Sequence, residues 1–501
     1  MADKDTRIRK NLISSVVYQV VLISLSFLLP RLYLENFGSQ VNGVLSTIKQ
    51  IFAYMCLLEA GVGLATTQAL YKKIGEKDYE SASGVLSATH RYYIKTGVVY
   101  SLIVLVIAVV YSYVIPTGIS GHVVFAMVVL NALPALFSYF VQAKYRILME
   151  VDGRRYIINN SETVVQLLSN FGKVLVLFLT DSLVLIQLVY CVIALFQLTF
   201  LYVYAKKRYT WLNLKAKPDF KAIAQKNSVI VHQISGMVFN NTDIIMISFL
   251  CDFKAVSIYT IYSIFFSQVQ NFITNIMSGV SYAMGQMFHV DRQRFNKVFA
   301  AYETAYIMAT FLIYTLMAVF LLPLIQIYTS GINDAQYTNT TLVILFVVMN
   351  LLANAKLPAN LIIEYSGEFA RTRSHAIWEM IINITASAAA IMLWGICGAI
   401  VGTVLALIYR SIVVIHYSNK KVLGESVMKT YRNWIVNGLV FAFVMAIFYV
   451  DSFSGLSFGK LIVKGVVHSL WIVPLYIAAN VMFNRDIVKT LIEFIREKKK
   501  I

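Results

Sequence analysis

The chain contains many apolar segments that are long enough to cross a lipid bilayer. A transmembrane helix needs about 20 predominantly apolar residues. Of the 501 residues 58% are hydrophobic and 14% are charged, whereas soluble domains carry about 25% charged residues. We therefore predict an all-α polytopic membrane protein with about fourteen transmembrane helices. The predicted spans are 12–34, 44–70, 92–114, 123–143, 157–180, 183–205, 227–250, 256–282, 298–327, 341–366, 376–394, 396–417, 434–450 and 461–483.

The basic residues predict the orientation of these spans. With the N-terminus inside, thirty-five of the 43 Lys and Arg residues fall in cytoplasmic segments, while the opposite loops hold only Lys254 and Lys460. Such an asymmetry follows the positive-inside rule and places both termini in the cytoplasm. The net charge of +18 is then mainly a topology signal, with some attraction to anionic membrane lipid. It does not indicate a nucleic-acid partner.

A weak internal repeat predicts how the chain is organised. The segment 37–43 precedes the second span and the segment 252–259 precedes the eighth, an offset of about 215 residues. Six spans separate the copies, so both insert the same way up, as in parallel transporter repeats. The predicted domains are an N-terminal six-helix lobe (1–205), a cytoplasmic linker (206–226), a C-terminal six-helix lobe (227–417), and two further helices with a basic cytoplasmic tail (418–501).

The sequence contains no pattern that indicates an enzyme. The four cysteines are far apart and the seven histidines form no pair at metal-ligand spacing, so we expect neither a disulfide framework nor a metal site. The nearest approach to a phosphate-binding loop, 455–461, is one residue short and lacks the hydroxyl residue after its Lys. We expect no catalytic residues and no cofactor.

Among the acidic residues inside predicted spans, two are candidates for function, because a charge deep in the bilayer is costly and usually faces a partner or a cavity. Asp243 follows two amides and a hydroxyl in the seventh span, and Glu59 lies in the middle of the second. The polar group around Asp243 would bind a cation or a proton, hydrogen-bond sugar hydroxyls, or join helices structurally. Glu59 would carry a proton or pair with a nearby cation.

When the charged residues toward the cytoplasmic ends of the spans are set aside, the basic candidates are Arg31, Lys49, Lys173 and Lys356. They exceed the two carboxylates by two charges, which suggests a cavity for an anionic substrate such as a phosphate-bearing lipid. Arg31 and Lys49 would otherwise snorkel to the interface, and the two other lysines would neutralise buried carboxylates. Gln270 in the eighth span would contact sugar or only hydrogen-bond a neighbouring helix.

Several of these segments resemble one known family. The runs 29–38 and 58–63, followed by 242–245 and 255–259, are similar to the corresponding segments of Wzx-type polysaccharide repeat-unit flippases. Those proteins belong to the multidrug/oligosaccharidyl-lipid/polysaccharide exporter superfamily. The resemblance implies two six-helix, MATE-like lobes around a central cavity, with two further C-terminal helices. It implies that Arg31, Lys49, Glu59, Asp243 and Gln270 lie near the transport path.

The resemblance also implies a function. The chain would move a polyprenyl-pyrophosphate-linked oligosaccharide from the inner to the outer leaflet of the bacterial cytoplasmic membrane by alternating access. A polysaccharide polymerase would be a further partner. Asp243 or Glu59 would bind a coupling H⁺ or Na⁺, or consumption of the cargo would drive transport. The alternatives are a cation-coupled multidrug exporter on the same fold, a membrane-embedded glycan polymerase or ligase, and a scaffold without transport.

Overall fold

The computed structural model describes residues 2–55, 62–223, 227–448 and 457–484. Every long regular element in these ranges is helical, because a segment in lipid must satisfy its backbone hydrogen bonds internally. Ten of the helices are long and apolar enough to cross a membrane. The chain divides into two compact units, Met1–Met237 and Val238–Ile501.

Unit 1 is built from seven helices and the start of an eighth. One π-helical turn, Ser138–Gln142, separates the fourth helix from the fifth. The helices are α1 (Ala2–Met55), α2 (Val62–Gly75), α3 (Tyr79–Tyr113), α4 (Gly121–Phe137), α5 (Ala143–Val151), α6 (Arg155–Leu179) and α7 (Leu183–Arg208).

The first helix of unit 1 is interrupted at Gly38. Its φ of 77° and ψ of −179° lie in a region that residues with a side chain almost never adopt, so glycine is required there. Before this break, Tyr33 packs against Val176 of α6 and Ile186 of α7. The two halves of α1 are thus separate helical segments joined at one residue.

The described residues of unit 2 form nine helices, of which the first, α8, crosses the division between the units. A π-helical segment, Tyr417–Leu423, follows the seventh of them. The helices are α8 (Asn227–Leu250), α9 (Phe253–Val290), α10 (Arg292–Tyr328), α11 (Thr340–Ala355), α12 (Leu357–Ser366), α13 (Phe369–Trp394), α14 (Ile396–His416), α15 (Met428–Phe448) and α16 (Phe458–Phe483).

Local sequence explains where several of these helices begin. Asp252, Asp291 and Asn339 accept hydrogen bonds from the first-turn amides of α9, α10 and α11, at 2.6, 2.9 and 3.2 Å. Such caps satisfy amide groups that have no partner within the helix. Pro358, which cannot donate a backbone hydrogen bond, lies just after the break between α11 and α12 at Lys356.

The closest helix contact in unit 2 joins α13 and α14. A Cβ atom on Gly398 would lie 2.0 Å from the Ala390 carbonyl oxygen, and one on Gly402 would lie 2.3 Å from the Ser387 amide nitrogen. Glycine at both positions therefore lets the two backbones touch, which is the usual role of the G-x-x-x-G spacing in membranes.

The prediction of an all-α, multi-pass membrane protein is confirmed. The predicted segments are helical in the described residues except at Val114 and Thr180, which follow the ends of α3 and α6, and at Lys356, where a break divides the predicted span 341–366 into two helices; residues 56–61 and 449–450 lie outside the described residues. The number of membrane crossings and the four domain boundaries stay predictions. The division at Met237 and Val238 falls inside α8.

We expect Gly402→Ala to lower the free energy of unfolding by about 1–3 kcal/mol, because the added methyl group must push α13 away from α14. Thermal unfolding of the purified chain in detergent measures this change. Gly465→Ala on α16 is the matched control, since a Cβ there meets nothing within 4 Å. An equal Tm for both variants would contradict the proposed contact.

Candidate ion and headgroup sites

Asp243 lies at the centre of a buried polar cluster in unit 2. The side chain is 5% exposed, and four helices supply its surroundings. Tyr259 of α9 donates a hydrogen bond to Oδ2 at 2.9 Å. Thr403 Oγ1 of α14 lies 3.1 Å from Oδ1 and 2.9 Å from Oδ2. Asn383 of α13 donates from Nδ2 to Thr403 Oγ1 at 2.8 Å.

This cluster contains more acceptors than donors. The Thr403 hydroxyl has one proton, yet it lies within hydrogen-bond distance of both Asp243 oxygens and, at 3.1 Å, of the Ala399 carbonyl oxygen. The buried Oδ1 of Asn383 accepts no hydrogen bond. In the described part of the chain, no Lys, Arg or His forms an ion pair with Asp243.

A buried carboxylate surrounded by hydrogen-bond acceptors is suited to bind a positively charged ligand. An ionised carboxyl in low dielectric is costly unless a positive charge compensates it. Hard cations prefer carboxylate, carbonyl and amide oxygens as ligands. In transporters, backbone carbonyl groups also coordinate coupling ions. The residues around Asp243 therefore fit one small cation or one proton.

A second buried carboxylate in unit 2, Glu379 of α13, has the opposite arrangement. Its Oε1 forms an ion pair with Lys356, and its Oε2 lies 3.3 Å from Arg410 Nε. Arg410 also donates to the Thr372 carbonyl oxygen at 3.3 Å. Lys356 is thus paired within its own unit, and its predicted contact with substrate stays a prediction.

Two of the predicted basic residues lie near each other in unit 1. Lys49 of α1 and Lys173 of α6 lie on two helices that pack against each other, and their positive charges repel. Lys173 Nζ lies 4.9 Å from the ring centroid of Tyr190 on α7, a cation–π distance. Neither lysine forms an ion pair with a carboxylate in the described residues. Two positive charges on packed apolar helices favour the binding of an anion, because an anion relieves their repulsion.

The other predicted residues are dispersed. Arg31 pairs with Glu35 one turn later at 2.7 Å. Gln270 of α9 accepts hydrogen bonds from Asn354 at 2.6 Å and Tyr314 at 3.3 Å, which joins three helices of unit 2. Glu59 lies outside the described residues, as does the side chain of Asn240. The roles of all these residues stay predictions.

The sequence predicts the carboxylate of Asp243 but not the residues around it. Thr403 and Asn383 are neutral and unremarkable in helices that carry many such residues. The available signal is that Thr403 follows Gly402, at a position where α14 must approach α13 closely. Glu379 and Arg410 are near the ends of predicted spans, where solvation at the interface is the usual expectation.

We expect Glu379→Gln to lower the free energy of unfolding by about 3–5 kcal/mol, because it removes the buried negative charge that lies between Lys356 and Arg410. Thermal unfolding in detergent measures the loss. The control is Glu364→Gln on α12, whose side chain is exposed and whose change should stay within about 0.5 kcal/mol. If both variants unfold at the wild-type Tm, the three residues do not stabilise the unit as a group.

No protein-family model and no curated protein matches the chain. Solved structures do resemble it. The lipid II flippase MurJ in an inward closed conformation is 15% identical, with a TM-score of 0.63 over 95% of this chain and 99% of that one. An inward-facing multidrug resistance MATE transporter of the MOP superfamily is 12% identical, with a TM-score of 0.62 over 88% of this chain and 100% of that one.

A third structure agrees with these two. A mutant form of the Vibrio cholerae MATE transporter VcmN is 15% identical, with a TM-score of 0.55 over 85% of this chain and 99% of that one. At these identities the likeness concerns the fold. The chain therefore has the fold that the MOP-superfamily transporters and the MurJ flippase share.

Proposed function

We propose that the chain translocates a polyprenyl-pyrophosphate-linked oligosaccharide from the inner to the outer leaflet of the bacterial cytoplasmic membrane. Transport proceeds by alternating access, and both termini face the cytoplasm. The observation that carries the proposal is the neighbouring pair Lys49 and Lys173 in unit 1, which lacks a carboxylate partner among the described residues.

The chemistry of this pair matches a pyrophosphate. Two ammonium groups that repel each other bind a dianion more favourably than either binds alone, and at an effective dielectric constant of 20 each contact at 4 Å is worth about 4 kcal/mol before desolvation. A cationic drug would be repelled. Arg31, beside Pro30 in the same helix, is the third predicted contact of the headgroup. Gln270 is the predicted contact of the glycan.

The likeness to solved structures supports the same proposal. The fold matches almost the whole of MurJ, a protein whose name states that it is a lipid II flippase. Here the lipid tail stays in the bilayer while the headgroup crosses. The finished oligosaccharide is then available to a polysaccharide polymerase on the outer side.

Asp243 is the proposed binding site of the coupling ion. In the described residues its cluster lacks a basic partner, and one buried oxygen of the cluster, Asn383 Oδ1, accepts no hydrogen bond. A cation or proton that enters there binds four helices together, α8, α9, α13 and α14. Its entry and release therefore bias the conformation of unit 2, so a gradient of that ion drives transport. Glu59 is the second predicted ion-coupling residue.

A cation-coupled multidrug exporter is the alternative function. The specific observation in its favour is that the MATE transporter structures match nearly as well as the flippase. The Asp243 cluster would serve such an exporter equally. The substrate distinguishes the two, since an exporter of organic cations gains nothing from Lys49 and Lys173.

Translocation of a fluorescent polyprenyl-pyrophosphate oligosaccharide in proteoliposomes tests the headgroup proposal. We expect Lys49→Met with Lys173→Met to slow translocation by about 10- to 100-fold, because two charge-assisted contacts are lost. Lys297→Met, on an exposed stretch of α10, is the matched control and should transport normally. Wild-type protein that exports cationic dyes but moves no lipid-linked glycan would overturn the proposal.

The Asp243 proposal predicts a loss of gradient dependence. In the same vesicles, with Na⁺ or H⁺ gradients imposed separately, Asp243→Asn should abolish an acceleration of about 5- to 150-fold, because the amide carries no charge for an ion to neutralise. Thr403→Val keeps the carboxylate and should weaken the acceleration. Asp181→Asn, at an exposed position, should leave it intact. Full acceleration in Asp243→Asn would exclude this residue as the coupling site.

A further inference from the structure

Unit 2 contains a third buried carboxylate that the proposed function does not use. Glu303 of α10 is 6% exposed. Both of its oxygens lie 3.0 Å from Thr430 Oγ1 on α15, and that hydroxyl has a single proton to donate. The carboxylate therefore receives at most one hydrogen bond from Thr430, although it can accept about four.

The surroundings of Glu303 offer further oxygen acceptors. A cavity of about 30 Å³ lies against this residue, and Asn433 and Asn296 also line it. Asn433 is 1% exposed and donates from Nδ2 to Thr304 Oγ1 at 2.9 Å, which fixes its amide group. Its Oδ1 accepts no hydrogen bond, and neither does the Oδ1 of Asn296.

Basic residues near the cavity have other partners. Lys429, at the edge of the cavity, pairs with Glu425 at 2.8 Å. Arg292, at the start of α10, donates to the Val422 carbonyl oxygen at 2.5 Å and stacks on Phe288, with 3.9 Å from its guanidinium carbon to the ring centroid. Within the described ranges, no Lys, Arg or His forms an ion pair with Glu303.

We propose that Glu303, Thr430 and Asn433 form a binding site for one monovalent alkali cation, distinct from the Asp243 cluster. One buried carboxylate balances one positive charge, and the remaining groups are the oxygen ligands that hard cations take. The cavity exceeds the roughly 10–15 Å³ that one water-sized occupant needs, but it is too small for a cation with its hydration shell. No group of three His, Cys, Asp or Glu residues suitable for a transition metal occurs in the described chain.

The position of the site gives the cation a structural consequence. Glu303 belongs to α10, whereas Thr430 and Asn433 belong to α15. A cation between them neutralises the carboxylate and ties α15 to α10. Below it in α15, Asn437 exchanges hydrogen bonds with Asn480 of α16 at 3.3 and 2.8 Å. In this proposal α15, and α16 through it, is tied to α10 by an ion-dependent contact.

The test is thermal unfolding and ion binding of the full chain in detergent. An Asp243→Asn background removes the other cluster, and NaCl, KCl or choline chloride is varied at constant pH and ionic strength. We expect a saturable rise in Tm of at least about 2 °C in Na⁺ or K⁺ relative to choline. Direct binding of ²²Na⁺ or ⁸⁶Rb⁺ should show one site per chain in this background.

Two variants locate the site. Adding Glu303→Gln should abolish both the rise in Tm with alkali salt and the binding of the radiolabelled ion. Adding Glu364→Gln should change neither. Asn433→Leu keeps the Glu303 carboxylate but removes one oxygen ligand, so it should weaken the apparent affinity for the alkali cation by about tenfold. It also tests the proposal if Glu303→Gln fails to fold.

Three results would overturn the proposal. One is a Tm in the Asp243→Asn background that is identical in Na⁺, K⁺ and choline. Another is a Tm that changes with pH but not with the concentration of any alkali cation, because a proton rather than a metal ion then neutralises the Glu303 carboxyl group. The last is undiminished ion binding in both the Glu303→Gln and the Asn433→Leu variants.

Discussion

The close approach of α13 to α14 is the contact on which the candidate coupling site depends. Gly398 and Gly402 have no side chain to separate the two backbones. Thr403, the next residue, therefore lies within hydrogen-bond distance of Asn383 across the interface and of Asp243 on α8. Because backbone contact fixes these positions, the geometry of the oxygen ligands does not rely on long side chains that could adopt several rotamers.

The three buried carboxylates in the described part of unit 2 are distinguished by their partners. Glu379 lies between Lys356 and Arg410 and so belongs to a group whose charges compensate each other within the protein. Asp243 and Glu303 have hydroxyl and amide neighbours, which cannot cancel a full negative charge. Because an uncompensated buried charge is costly, the two carboxylates without a basic neighbour are the ones at which we propose ion sites.

Hydropathy and charge predict the architecture well because lipid allows few solutions. A chain that crosses a bilayer must be helical or form a closed barrel, so long apolar runs identify the helices. Charged residues in those runs, such as Asp243, stand out for the same reason. The partners of Asp243 cannot be predicted in this way. Thr403 is 160 residues away and neutral, and its role depends on how two helices are rotated against each other.

The same limitation applies to the ion pairs and to Glu303. The sequence suggests Glu59 or Asp243 as the neutralising partner of Lys356, but the structure places Glu379 there. Choosing among several carboxylates requires knowledge of helix packing. Glu303 is the sole acidic residue in the predicted span 298–327, a signal as strong as that of Asp243. It is not singled out from the sequence because, unlike Asp243, it has no cluster of polar residues beside it in the sequence.

The interruption at Gly38 has a consequence for how unit 1 can move. Arg31 lies before Gly38 and Lys49 lies after it. Two of the predicted headgroup contacts are therefore on separate helical segments that are joined at this one residue. A glycine changes its backbone angles at little steric cost, and hinges commonly concentrate such changes in a few residues. The first segment can therefore swing while the second keeps its place, and under the proposed function such a swing changes the distance between the two predicted headgroup contacts.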